Sequence, residues 1–205
     1  MEVRPLSIEG AFVITPRQFP DDRGLFLESF RGDLLAEHLG HRPDVVQTNV
    51  SVSSRGTVRG IHFAEVPPGQ GKYVTAVAGS LVDYVVDVRV GSPTFGRWES
   101  VVLDTVDRRA LWISEGLGHA ICALEDDTTL MYLCTATYNP AGEHGVHPLD
   151  PTIGLALPDG ITPRVSPKDA AAPSLEEAVA TGVLPTLEAT TAWARRLSGG
   201  SAAPS

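Results

Sequence analysis

The segment Arg59-Gly60-Ile61-His62-Phe63, followed by Lys72, is the part of this chain best supplied for proton chemistry. A neutral imidazole abstracts a proton near pH 7, and a nearby ammonium or guanidinium stabilises the oxyanion that abstraction creates. A histidine inside an apolar strand is by itself more often a hydrogen-bonded core residue; here Arg59 and Lys72 flank it. Simple alternation sends Arg59 and His62 to opposite faces of a strand. A site that uses both therefore requires a bulge or twist at Gly60 that resets the parity.

Six histidines are present (His38, His41, His62, His119, His144, His147), none in an HxH or HExxH arrangement. His144 and His147 have a spacing metal sites use, but Gly145-Val146 and Pro148 make that stretch a loop, and no convergent set of ligands is evident. No metal is expected. GxSxG, P-loop and GxGxxG patterns are absent, which argues against serine hydrolase, NTPase and nicotinamide chemistry.

These residues need a scaffold. A chain of 205 residues, 42% apolar, is long enough for one domain with a real core. No apolar run approaches the roughly 20 residues that span a bilayer, and the N-terminus carries no apolar signal core, so a cytoplasmic location is expected. Cys122 and Cys134 sit in apolar, strand-like runs and read as small core residues in a reducing compartment. A net charge of −9 disfavours broad binding to nucleic acid or an anionic membrane, but leaves room for a few cations aimed at one small anion.

Short runs rich in Val, Thr, Tyr and Phe recur between turn residues, which include 20 Gly and 16 Pro. They predict strands at Ala11–Thr15, Gly24–Phe30, Val45–Val52, Val58–Phe63, Tyr73–Ala78, Leu81–Val90, Trp98–Leu103, Ala110–Ile113, Ala120–Ala123, Thr129–Thr137 and Gly154–Ala156. Helical periodicity holds at Arg31–Leu39 and at Leu175–Thr181, the latter capped by Ser174 and stopped by Gly182. The pattern is that of an all-β sandwich or barrel. Within Leu81–Val90, Val82, Tyr84, Val86, Val88 and Val90 share one face, and Asp83, Asp87 and Arg89 share the other. Gln47, Asn49 and Ser51 likewise share a face, as do Tyr132 and Tyr138. A single polar strand face ordinarily meets solvent; several around a closed barrel would line a polar pocket. Periodicity leaves both open.

Taken together, the motifs resemble one family. They are Asp22-Arg23-Gly24 with Glu28, Gln47-Thr48-Asn49-Val50-Ser51, Val58 to Phe63, Lys72, Gly91-Ser92-Pro93-Thr94-Phe95-Gly96-Arg97-Trp98, Gly116-Leu117-Gly118-His119-Ala120, Met131-Tyr132-Leu133-Cys134, Tyr138-Asn139-Pro140 with Glu143, and Ser166-Pro167-Lys168-Asp169. In this order and over the chain to about Leu187, they resemble the dTDP-4-dehydrorhamnose 3,5-epimerases, which act on dTDP-4-keto-6-deoxyhexoses and have a cupin-like jelly-roll fold. The resemblance implies one domain over residues 1–187 and leaves a partly flexible tail over 188–205, whose terminal run from Ser198 reads by its Ser, Gly, Ala and Pro composition as frayed.

It also implies roles. His62 matches the base that takes the C3 or C5 proton, Asp169 the carboxylate that orients it, Lys72 the cation beside the C4 oxygen, and Tyr132 the acid on the opposite sugar face. His119 matches a polar residue near sugar and diphosphate. Arg23 and Arg59 match diphosphate-binding positions, and Tyr138 the aromatic that stacks on thymine. Phe19, Glu28, Gln47, Thr48, Asn49, Glu143 and Lys168 match pocket-lining positions. A homodimer with exchange of N-terminal segments is implied, so that Phe19, Arg23 and Glu28 complete the neighbouring site, and no cofactor is implied. Asp83 is a weak site candidate, and Trp98 and Phe95 read as packing. Ile121 stands where the family usually has an aromatic, and Leu157-Pro158 where an Asp-Trp pair is common; both departures bear on exact substrate and product. Double inversion at C3 and C5 is favoured over inversion at one carbon. The rivals are a non-catalytic nucleotide-sugar-binding cupin, which would need no acid facing a base, and a cupin isomerase of another nucleotide-linked keto sugar.

Overall fold

The computed structural model describes residues 1–199. Strands β1 (Glu2–Pro5), β2 (Ala11–Thr15), β10 (Ala110–Ile113), β7 (Lys72–Ala78), β12 (Thr128–Cys134) and β5 (Gln47–Ser53) form one sheet, in that order. The second sheet runs β13 (Glu143–Gly145), β6 (Thr57–Ala64), β11 (Gly118–Ala123), β8 (Ser80–Val86) and β9 (Trp98–Asp104), with β14 (Arg164–Val165) added in parallel to β6. A separate hairpin joins β3 (Gln18–Asp21) to β4 (Gly24–Leu27). This is the expected jelly-roll sandwich.

The main core lies between the sheets: Val13, Val74, Ala76, Leu111, Ile113 and Leu130 from the first meet Leu81, Val85, Val101, Leu103 and Ile121 from the second. The outer face of the second sheet buries Val58, Phe63, Val82, Tyr84 and Val86 beneath the 153–161 loop and helix α3 (Leu175–Thr181). Helix α1 (Gly32–Leu39) covers half of the first sheet's outer face, packing Leu35 and Leu39 on Ile14, Tyr73 and Trp112. Both sheets are thus apolar on two faces where they are covered, and alternation fades there.

Most expected strands are present with boundaries shifted by a few residues. The run from Leu81 leaves the sheet at Val86, because Asp87 turns inward to bind Arg89, Ser92 and Thr94. Gly154–Ala156 is not a strand. Helix α3 has the expected bounds: Ser174 and Glu177 make a reciprocal capping box, and Gly182 ends the helix at φ +70°. The short strands β1, β3, β13 and β14 and the four-residue helix α2 (Pro167–Ala170) are additional. Helix α4 (Leu187–Gly199) carries the fold beyond Leu187: the Leu187 amide donates to the Val90 carbonyl, and Thr190 is buried. Of the tail expected over 188–205, residues 188–199 are helical, Ser198 and Gly199 included, and residues 200–205 lie outside the described residues. Cys122 and Cys134 are free and buried, and no helix among the described residues is long and apolar enough to cross a membrane.

Candidate active site

The geometry begins with an irregularity in β6. Across the β6–β11 ladder His119 faces His62, whereas Ile121 faces Arg59, so β6 advances three residues while β11 advances two. The extra residue falls at Gly60–Ile61. Gly60 has φ +120°, and a Cβ there would stand 2.5 Å from the His119 carbonyl oxygen, so only glycine fits. The bulge resets parity, and Arg59 and His62 line one cavity of about 250 Å3.

His62 is held by a short helix. Ser166 Oγ accepts from the Asp169 amide at 3.1 Å, and Pro167 begins α2 with φ already suited to it. Asp169, 7% exposed at its side chain, then lies 2.7 Å from His62 through Oδ1 and Nε2. The His62 side chain keeps 37% of its surface open. Partial burial lowers its pKa; Asp169 opposes that shift by hydrogen bond and charge, while Lys72 and His119 add to it. The ring is therefore neutral at pH 7. With Nε2–H donating to Asp169, the other ring nitrogen is left as an acceptor.

Lys72 and Tyr132 enter from the opposite sheet, on β7 and β12. Lys72 is 8% exposed, and burial lowers its pKa against the pull of Glu143, Cys134 and Asp83. Burial holds the Tyr132 phenol above its ordinary value, so it is protonated at neutral pH. Beside His62, His119 Nε2 meets Asp83 Oδ2 at 2.9 Å. Asp83 is fully buried, its Oδ1 has no partner among the described residues, and burial raises its pKa although His119 and Lys72 oppose the shift. The polar strand face at Asp83 and Asp87 therefore turns inward, not to solvent.

A second cavity of about 160 Å3 shares His62, Lys72, Tyr132 and Lys168 with the first. Gln47, Asn49, Tyr138 and Glu143 also line it. Gln47 ties the wall together: it donates to Asn49 Oδ1 at 2.9 Å and accepts from the Tyr138 amide at 2.9 Å. Arg59 is braced by Ser53 Oγ and the Val52 carbonyl. Thr48 is a correction: alternation along β5 turns it to the exposed outer face while Gln47 and Asn49 point in. Phe19, Arg23 and Glu28 line neither cavity. Phe19 packs on Phe26 across the β3–β4 hairpin, Arg23 pairs with Asp21 at 2.6 Å, and Glu28 pairs with Arg31 at 3.2 Å, all exposed.

Sequence reasoning left out Gln70 and His144 on the second wall and Leu130 and Ser166 on the first, where Ile121, singled out as a departure from the family, also lies. Parity alone finds Leu130, two residues from Tyr132, and Ile121, two from His119. Ser51 was legible in the same way, as the continuation of the Gln47 and Asn49 face. A larger groove of about 440 Å3 runs along α4, but contains no histidine–carboxylate pair.

Comparison with known proteins places the chain in a family. Residues 5–177 match the family described as dTDP-4-dehydrorhamnose 3,5-epimerase. The dTDP-4-dehydrorhamnose 3-epimerase of Streptomyces niveus is 55% identical over 186 residues, 91% of this chain and 89% of that protein. The dTDP-4-dehydrorhamnose 3,5-epimerase of Mycolicibacterium smegmatis is 56% identical over 186 residues, 91% of this chain and 92% of that protein. Among solved structures, the rmlC epimerase of Mycobacterium tuberculosis superposes with a TM-score of 0.94 at 50% identity, covering 96% of this chain and all of that one. ChmJ, a 3'-monoepimerase from Streptomyces bikiniensis in complex with dTDP-quinovose, gives 0.92 at 49% identity, covering 95% and 98%. With a family match over most of its length and relatives of this identity, the chain belongs to the dTDP-4-dehydrorhamnose 3,5-epimerase family.

Proposed function

We propose that the chain epimerises a dTDP-4-keto-6-deoxyhexose at C3 and C5 by metal-free acid–base catalysis. The observation that carries the reading is that His62 and Tyr132 reach one cavity from opposite sheets, with Lys72 beside them. Inversion needs that two-sided arrangement, because a base returning its own proton regenerates the starting centre. The C4 ketone acidifies the protons at C3 and C5. Neutral His62 removes one of them, and the C–H electron pair passes into an enolate whose oxygen lies against the Lys72 ammonium. Tyr132 then delivers its phenolic proton to the carbon from the other face and regains one from solvent, while His62 releases its proton with Asp169 holding the ring. Arg59 binds the diphosphate, Tyr138 stacks on the thymine, and Gln47, Asn49, Glu143, His119 and Lys168 frame the ligand.

The working unit is a homodimer in the cytoplasm. Val50, Val52 and Val77 are exposed on the half of the first sheet that α1 leaves bare, and Phe26 is exposed on the β3–β4 hairpin, which suits cover by a second copy. Exchange of the N-terminal segment would bring Phe19, Arg23 and Glu28 to the neighbouring site. The free buried cysteines suit a reducing compartment.

A second reading, inversion at C3 alone, is favoured by the near-equal identity to a relative named 3-epimerase, 55% against 56% for one named 3,5-epimerase. Incubation with dTDP-4-keto-6-deoxyglucose in deuterated water, followed by NMR, separates the two. Deuterium at C3 and C5 with inversion supports double epimerisation, and deuterium at C3 only supports the second reading. Folded protein that exchanges neither carbon sinks both.

A further inference from the structure

The larger of the two site cavities is polar almost throughout. Arg59, His62, Lys72, His119, Tyr132 and Asp169 each bring a hydrogen-bonding or charged group to it. Ile121 and Leu130 are the aliphatic exceptions. Both are 3% exposed and belong to the core between the sheets. Their placement is paired. Ile121 follows His119 by two residues on β11, and Leu130 precedes Tyr132 by two on β12, so each lies on the cavity-facing side of its strand, one layer from a polar site residue. The two strands belong to opposite sheets, and the side chains close the cavity from both sides.

We infer that Ile121 and Leu130 form the seat for the C6 methyl of the sugar and set a preference for 6-deoxy over 6-hydroxy hexoses. This rests on the nucleotide-sugar reading above. The methyl is the one wholly apolar substituent of such a sugar, and among the described residues that line the two site cavities these two carry the aliphatic side chains. A 6-hydroxyl in the same place loses water and meets side chains that neither donate nor accept a hydrogen bond. Ser51 pairs with Leu130 across β5–β12 and also lines the cavity, so it is the group through which a hydroxyl would escape that loss.

The test uses two ligands that lack the 4-ketone and cannot react, dTDP-6-deoxyglucose and dTDP-glucose, with dTDP as reference, by titration calorimetry. The intact protein should bind the 6-deoxy ligand roughly tenfold more tightly, the range in which an apolar pocket rejects an added hydroxyl. Ile121→Thr should shrink the ratio to about twofold by supplying a hydroxyl partner, with dTDP affinity unchanged, while Ile121→Val keeps it. Equal affinity of the two sugars for the intact protein overturns the inference without any variant having to fold. Failure of dTDP itself to bind is a separate result, and overturns the reading on which the inference rests.

Discussion

Two histidine–carboxylate pairs stand side by side across the β6–β11 ladder, with the same residue types and similar separations, 2.7 and 2.9 Å. They differ in burial. The His62 side chain keeps 37% of its surface open and its partner sits on a capped helix turn, whereas His119 keeps 12% and its partner is sealed inside β8. A base must meet substrate on one side and a fixed carboxylate on the other, and His62 has both. The inner pair has the carboxylate but little access; burial raises the Asp83 pKa, and His119 first and Lys72 after it oppose that shift. Access, not residue type, separates a proton carrier from a framework that holds a field.

The largest expected effect breaks the comparison directly. His62→Asn should lower deuterium exchange at both carbons by about 10³-fold, within the range for losing a general base, while His119→Asn should lower it about tenfold. The reverse ranking, measured by single-turnover NMR, would move the base to the inner pair.

Asp169→Asn should have the next largest effect, about 10²-fold on kcat, because the imidazolium formed in the reaction loses its carboxylate. It should also move the acid limb of the pH–rate profile. His62 must be neutral to act, so activity falls as pH drops through its already lowered pKa. Asp169 opposes that lowering; removing it shifts the limb to still lower pH. An acid limb that stays in place would dissociate Asp169 from His62.

Much of this comparison was legible in the sequence, and the illegible part has physical reasons. The need for a parity reset at Gly60 follows from alternation alone, because Arg59 and His62 are separated by an odd number of residues. The sheltering of Asp83 does not follow. Its strand alternates cleanly, and whether the polar face meets water or a cavity depends on a second sheet that no local pattern encodes. Thr48 shows the opposite failure: it lies within a motif of site residues, yet strand geometry turns it outward. Helix α4 escaped notice because its inward stripe, Leu187, Thr190, Trp193 and Leu197, is only partly apolar and mostly half-buried.

Asp83→Asn gives the smallest expected effect and the sharpest view of the inner pair. Burial raises the Asp83 pKa in the folded protein above its unfolded value. A carboxyl raised in this way favours the folded state most below the unfolded pKa, and that contribution is lost as pH rises through the folded one. The asparagine does not titrate and still offers an oxygen to His119 Nε2–H. The variant's Tm should therefore improve relative to the parent as pH rises above the ordinary carboxylate range, measured by thermal melts across pH. His119 and Lys72 work against the shift by stabilising the carboxylate. If their attraction outweighs burial, the variant will instead lose ground as pH rises, and the inner pair must then be counted as a stabilising ion cluster.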